Sequence, residues 1–419
     1  MLVRKFMLWV GQVSAAERAE GTGALARAYL YADFTQAEKH EAEVALFSLL
    51  DDPSPIVRKS IAEAFASAID APHAIVLALA NDQSAIASIV LRRSPRLSDA
   101  ELIDCAAIGD AFAQAAIALR PRLSMNVSAA LAEIGSREAL IALAVNSGAD
   151  IADFSIRRMI ERFGADGEVR EALLSRPDLP PVLRSALVAA TAQALSAFVT
   201  SRSWLSVERA ERVTREARES ANIMISAESA RDGDQVGACE LVAYLRSSGQ
   251  LTAGLILRSL LSGHTNLFEA ALGELSGMPE RRVAGLIRDF RSAGFAALYN
   301  RAGLPAGLLP AFRAALEATR EFGFSSEGCH TVRLSRSITE RALTACEDAN
   351  EGALDGLLAL LRRFETEALR EEARVLAIDL RRPEQETNVV VPMVSAVPER
   401  FGVPTIDLDA LEAEILQAA

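Results

Sequence analysis

The side chains in this sequence that could do chemistry together are arginines. Arg92, Arg93 and Arg96 form one group, Arg120 and Arg122 a second, and Arg157, Arg158 and Arg162 a third, each near the end of a segment with helical apolar spacing. Stacked repeats bring equivalent positions into register, so the pattern predicts a basic stripe along one edge, suited to an acidic partner. A second account uses the same residues. Cations near a helix C-terminus are favoured by the helix dipole, and surface arginines keep an alanine-rich protein in solution.

Other candidate chemistry is thinner. Cys329-His330 with Cys346 is the one crowding of metal-ligand types, and a structural zinc site needs four ligands at short spacings. His40, His73 and His264 stand singly near expected helix ends, as caps or surface groups. Gly21-Thr22-Gly23-Ala24-Leu25-Ala26 matches a loose dinucleotide-loop pattern, but that loop works only after a strand, and Glu17 to Glu20 reads as helix. No Gly-Lys-Ser/Thr phosphate loop is present. The expectation is therefore no catalytic residue set, no cofactor and no metal, hence not an enzyme.

The elements that must carry the arginines are announced by a recurring turn. Asp51-Asp52-Pro53-Ser54-Pro55, Asn81-Asp82-Gln83-Ser84 and Gly109-Asp110 each separate two short Ala/Leu-rich segments, with Asp52, Asp82 and Asp110 spaced 30 and 28 residues apart. Two short helices and two turns fill such a period. Gln36 to Leu50 reads as an outer helix and Ile56 to Ile69 as an inner one, and Pro72 opens the next. Val57, Ile61, Phe65, Ile86, Ile89, Val90, Ala115 and Ile117 are the expected lining of the inner helices. Ser98 and Glu101 make a capping box, and Ser124 and Ser136 are further caps. A helix from Val182 to about Val199 follows the turn at Pro177 to Pro181, and a charged helix from Trp204 to Ala221 joins two halves.

Punctuation then changes to glycine. Gly249, Gly263 and Gly277 recur every 14 residues, with Gly294 and Gly303 continuing less regularly, as left-handed caps closing short helices would. Gly352 to Leu380 reads as one long amphipathic helix ending the stack. From Pro383 the period dissolves, and only Ile406 to Ala418 recovers it. No segment alternates with period two for long enough to make a sheet.

Composition sets the setting. Half of the 419 residues are hydrophobic but only 5% aromatic, so the apolar faces are built from Ala, Leu, Ile and Val. Four cysteines without C-x-x-C spacing fit a reducing compartment. The run Met1 to Val10 ends at Gly11-Gln12, too soon for a secretory signal, and no unbroken apolar run reaches membrane-spanning length. A cytoplasmic location with no membrane span is expected. Net charge is −12, and residues 383–419 contribute half of it, with seven acidic residues against one basic.

Leu251-Thr252-Ala253-Gly254-Leu255-Ile256-Leu257-Arg258, Phe268-Glu269-Ala270-Ala271-Leu272, Gly277-Met278-Pro279 and Arg301-Ala302-Gly303-Leu304-Pro305 carry a resemblance to a family. The block resembles the characteristic part of a family of uncharacterised, mainly alphaproteobacterial proteins, domain of unknown function 2336, over roughly residues 200 to 340. The first half is similar to HEAT-type repeats in general. The family resemblance implies a helical fold and a bacterial cytoplasmic setting. It implies no activity and assigns no functional residues.

The sequence thus predicts an all-α protein, a right-handed α-solenoid of stacked HEAT-like helix pairs with no sheet. Residues 1–200 are expected to form HEAT-like repeats and 201–382 a second helical-repeat region. Residues 383–419 are expected to be a flexible acidic tail with a short C-terminal helix. The expected function is a non-enzymatic scaffold or regulatory adaptor that binds a protein or peptide, its own C-terminal tail included, on the repeat surface. The alternative is a nucleic-acid-binding protein using an arginine-lined face. A sequence pI near 5.1, three lysines and few aromatics weigh against that alternative.

Overall fold

In a computed structural model the described residues, 2–322, 335–344 and 355–380, are helical throughout apart from their connections. The chain opens with α1 (Leu2–Val10), α2 (Ala15–Tyr31) and α3 (Gln36–Ser48). Short helices follow: α4 (Pro55–Phe65), α5 (His73–Ala80), α6 (Ser84–Arg93), α7 (Asp99–Ile108), α8 (Ala111–Ala118), α9 (Met125–Ile134), α10 (Arg137–Val145), α11 (Asp153–Phe163) and α12 (Gly167–Leu174). Two long helices come next, α13 (Pro181–Ser201) and α14 (Val207–Arg231). The remainder are α15 (Gln235–Ser247), α16 (Ala253–Leu261), α17 (Thr265–Ser276), α18 (Glu280–Arg288), α19 (Ala293–Arg301), α20 (Leu309–Phe322), α21 (335–344) and α22 (Asp355–Leu380). The one strand-like pairing among the described residues is an isolated bridge between Leu123 and Ala149.

Local chemistry explains the helix starts. Ser98 accepts from the Glu101 amide while Glu101 bonds back to the Ser98 amide, and the same box closes on Ser14 with Glu17 and on Thr35 with Glu38. Ser124, Ser136 and Asp110 cap α9, α10 and α8 through single side-chain bonds, and Asp166 caps α12 by accepting from two amides, Glu168 and Val169. The glycine stops are as expected at Gly249, Gly263, Gly277 and Gly303, all with φ between +64° and +77°. Gly294 differs, since it lies inside α19.

Through much of the chain a helix packs on the one two places further along. The even helices α2, α4, α6, α8, α10 and α12 form one series of contacts and the odd helices α7, α9, α11, α13, α15, α17 and α19 another. Because successive helices reverse direction, their turns fall at two edges. Turns 52–54, 81–83, 109–110, 135–136 and 163–166 share one, called here the aspartate edge. Loops 66–72, 94–98, 119–124, 146–152 and 175–180 share the other, the far edge.

Two hydrophobic cores fill this compact unit, which spans Met1–Glu372. The first runs from Val3 to Leu187 and the second from Ile223 to Phe364. Val57, Ile61, Phe65, Ile86, Val90 and Ile117 are buried as expected, whereas Ile89 and Ala115 are half-buried. A second unit begins at Ala373, within α22, and its described residues are 373–380. The expected tail helix 406–418 and the Cys329-His330-Cys346 group lie outside the described residues.

Some boundaries differ from expectation. The helix expected over Ile56–Ile69 stops at Phe65, and the charged helix starts three residues later and ends ten residues later than expected. Gly21 to Ala26 lies within α2, so it forms no phosphate-binding loop. The helix Pro181–Ser201 is long and apolar enough, by length and composition, to cross a membrane. It is not an unbroken apolar run, because Arg184, Thr191, Gln193 and Ser196 interrupt it.

Candidate functional site

The recurring aspartates bind one repeat to the next. Arg18 Nε donates to Asp52 at 2.9 Å, Arg58 Nε to Asp82 at 2.7 Å and Arg137 Nε to Asp166 at 2.7 Å. Ser84 takes the equivalent place opposite Asp110. Each aspartate sits at the turn before an even helix and accepts from the even helix before it. The donated hydrogen bond from Arg137, with the amides of Val169 and Glu168, holds the Asp166 carboxyl below the usual range. Burial works against ionisation of Asp52, but bonds from Arg18 and the Ser54 amide outweigh it and its carboxyl is also held low.

The far edge is joined by side chains that cap the preceding repeat. Arg120 donates through Nη1 to the Leu91 carbonyl and through Nη2 to the Ser94 carbonyl, occupying the open end of α6. Asn146 donates to the carbonyls of Ala118 and Arg120 at 2.7 and 2.8 Å, closing α8. Arg176 reaches the carbonyls of Ala144 and Asn146, closing α10. Beside them Leu123 bonds to the Gly148 carbonyl, and a Cβ on Gly148 would lie 2.1 Å from the Pro121 carbonyl oxygen. Only glycine fits that approach.

These contacts sort the eight arginines expected to form the stripe. Arg120 is engaged in capping, and burial lowers its pKa against the opposing charge of Asp99. Arg162 makes the same kind of clamp at the aspartate edge, donating to the Ala132 and Gly135 carbonyls at the end of α9. Arg158 is paired with Glu133 and Glu161. Arg92, Arg93, Arg96, Arg122 and Arg157 are exposed, and their side chains have no partner among the described residues. The eight do not form one row. Arg92, Arg93, Arg96, Arg120 and Arg122 gather at the far edge, while α11 carries Arg158 and Arg162 toward the opposite one. Arg92, Arg93, Arg96 and Arg122 make up an exposed far-edge patch without side-chain partners among the described residues.

Apolar side chains share this patch. Leu119, Val145 and Leu174 close three successive even helices at positions equivalent to Arg93, and all are exposed. Met125 and Phe154, at the starts of α9 and α11, are exposed at the same edge. Sequence patterning missed this because an exposed apolar residue at a helix end reads as the last residue of a buried stripe.

A second cluster went unnoticed in the sequence. Arg258, in α16, is 6% exposed and meets both oxygens of Glu367 at 2.6 and 2.7 Å and Glu219 at 3.2 Å. Its guanidinium lies 4.6 Å from the centroid of Phe364. Burial pushes the Glu219 carboxyl above its usual range, with Arg258 opposing. Ser220, Ser262, Ser335 and Thr339 line a cavity of about 140 Å³ beside it. Arg258 thus fastens α22 and α14 to α16. Among the described residues no three His, Cys, Asp or Glu side chains converge as a metal site.

Paired helices packed in two series, closed by side chains that cap the neighbouring helix pair, define an all-α protein. The chain belongs to the family DUF2336, uncharacterised proteins conserved in bacteria, whose model matches residues 86–352. The match begins well before the block at 200 to 340 and includes all eight arginines. No curated protein and no solved structure matches the chain.

Proposed function

We propose that this protein is a non-enzymatic scaffold or adaptor, a solenoid of helix pairs that holds an acidic, amphipathic segment of a protein partner along its far edge, in the cytoplasm. The observation that carries this reading is the division of labour among the arginines. Arg120 has carbonyl partners within the fold, whereas the side chains of Arg92, Arg93, Arg96 and Arg122 beside it are exposed and unpartnered among the described residues. Unpaired like charges repel one another, and an acidic ligand relieves that cost. Leu119, Val145 and Leu174 supply the apolar contacts that such a segment needs for its other face.

The test is capture from the native host with a chain carrying Arg93→Glu, Arg96→Glu and Arg122→Glu. Loss of the proteins retained by the wild type, with an unchanged helical circular-dichroism spectrum, supports the reading. Retention of the same proteins contradicts it. Loss of co-purifying nucleic acid instead of protein supports the nucleic-acid alternative.

A further inference from the structure

The α13–α14 hairpin reaches beyond both hydrophobic cores. The first core ends at Leu187 and the second begins at Ile223, and between Thr191 and Ala221 only Ala210 is buried. Its outer part is nonetheless rich in apolar residues. Leu195, Phe198, Trp204, Val207 and Val213 are each at least 46% exposed, and the Trp204 ring meets Phe198 edge-on near the turn. A groove of about 580 Å³ runs between the two helices, with Ala192, Ser196 and Thr200 on one wall and Glu211, Arg215 and Arg218 on the other. An apolar hairpin of this length is left half-buried by its own chain.

The charges in the groove say what covers it. Along α14 the acid comes first and the bases follow: Glu211, then Arg215 and Arg218, about 6 and 10 Å further along the helix axis. None makes a direct ion pair among the described residues, although Arg215 and Arg218 act on Glu219 from a distance. An acid-then-base order is self-complementary. Turned about a two-fold axis, a second α14 runs antiparallel and sets its Arg215 opposite Glu211, and its Glu211 opposite Arg215. The small residues Ala192 and Ser196 on α13 allow the close helix approach that a four-helix arrangement requires. A bilayer is the poorer fit, because α14 exposes Glu208, Arg209, Glu211 and Arg212, charges that are costly in hydrocarbon.

We infer that the α13–α14 hairpin is a homodimerisation arm, pairing with the same hairpin of a second copy through reciprocal Glu211–Arg215 contacts. The inference is independent of the far-edge reading, since it concerns a different surface and a different partner.

Sedimentation velocity on the full chain at about 1 to 50 µM tests it. The wild type is expected to sediment as a dimer, twice 44.8 kDa. Glu211→Arg sets like charges opposite each other twice and should weaken the dimer about tenfold or more. Adding Arg215→Glu to that variant restores the pairs in reversed sense and should restore the dimer. A wild type that stays monomeric, a Glu211→Arg variant as dimeric as the wild type, or a double variant that fails to recover would each overturn the inference. So would a monomer that instead co-sediments with anionic phosphatidylglycerol vesicles.

Discussion

Arg120 Nη2 stands 2.7 Å from the Ser94 carbonyl oxygen, 26 residues earlier in the chain, and so one repeat closes the helix end of the one before it. Hydrogen bonds from a charged donor contribute about 1.5–3 kcal/mol each, and the carbonyls left behind would be half-buried and unpaired. Arg120→Met should therefore destabilise the chain by about 2–4 kcal/mol, read as a lower urea midpoint. Arg122→Met, two residues on and exposed, should change it by less than about 0.5 kcal/mol.

Phe65 is fully buried in the first core, with its ring edge-on to Tyr29 at 6.0 Å between centroids. Truncation leaves a cavity bounded by α2 and α4. Phe65→Ala should cost about 3–5 kcal/mol by chemical denaturation, and a cost under about 1 kcal/mol would mean the site collapses freely.

Acid should unfold the chain in two stages. Burial, aided by the charge of Arg231, lowers the folded-state pKa of His264, so the unfolded chain takes up this proton first and stability begins to fall below about pH 6.5. Asp52 and Asp166 have folded-state values below their unfolded ones. Their stabilisation is full above about pH 4 and is lost as pH falls through the lower folded values. Urea midpoints measured from pH 7.5 to 3 should show both limbs. His264→Gln should remove the upper limb alone, and Arg137→Met should shrink the lower one.

The Arg258 cluster holds residues 109 positions apart. Removing one member of a buried pair strands the other, at about 3–5 kcal/mol. Glu367 is more exposed than Arg258, so Glu367→Ala should fall at or below the low end of that range while Arg258→Ala reaches it. Hydrogen exchange should show faster amide turnover in 355–372 for both variants. Unchanged exchange there would mean that α22 is held by its apolar contacts, Leu361 and Phe364, alone.

What could be read from the sequence was local. Ser98 finds Glu101 three residues away, and Gly249, Gly263 and Gly277 announce their own left-handed conformation, so helices, caps and the all-α class follow from short-range chemistry. The arginine roles did not, because Arg120 and Arg162 bind backbone carbonyls 26 to 30 residues distant. A carbonyl has no residue type to betray it. Nor does composition tell Arg120 from Arg122, although one closes a helix and the other is exposed, its side chain without a partner among the described residues. The aspartate spacing was visible as a repeat, while its partners Arg18, Arg58 and Arg137 are three among 41 arginines and became distinguishable only in the fold.

The far-edge account is tested most directly by placing a photo-crosslinking residue at single positions in the full chain, in the native host. Leu119 and Val145 stand at the far edge, and Phe112, more exposed than either, stands at the aspartate edge. Irradiation should give the same discrete protein adduct from positions 119 and 145, lost on adding Arg93→Glu and Arg122→Glu, and none from position 112. An adduct from 112 with nothing from 119 or 145 would contradict the account.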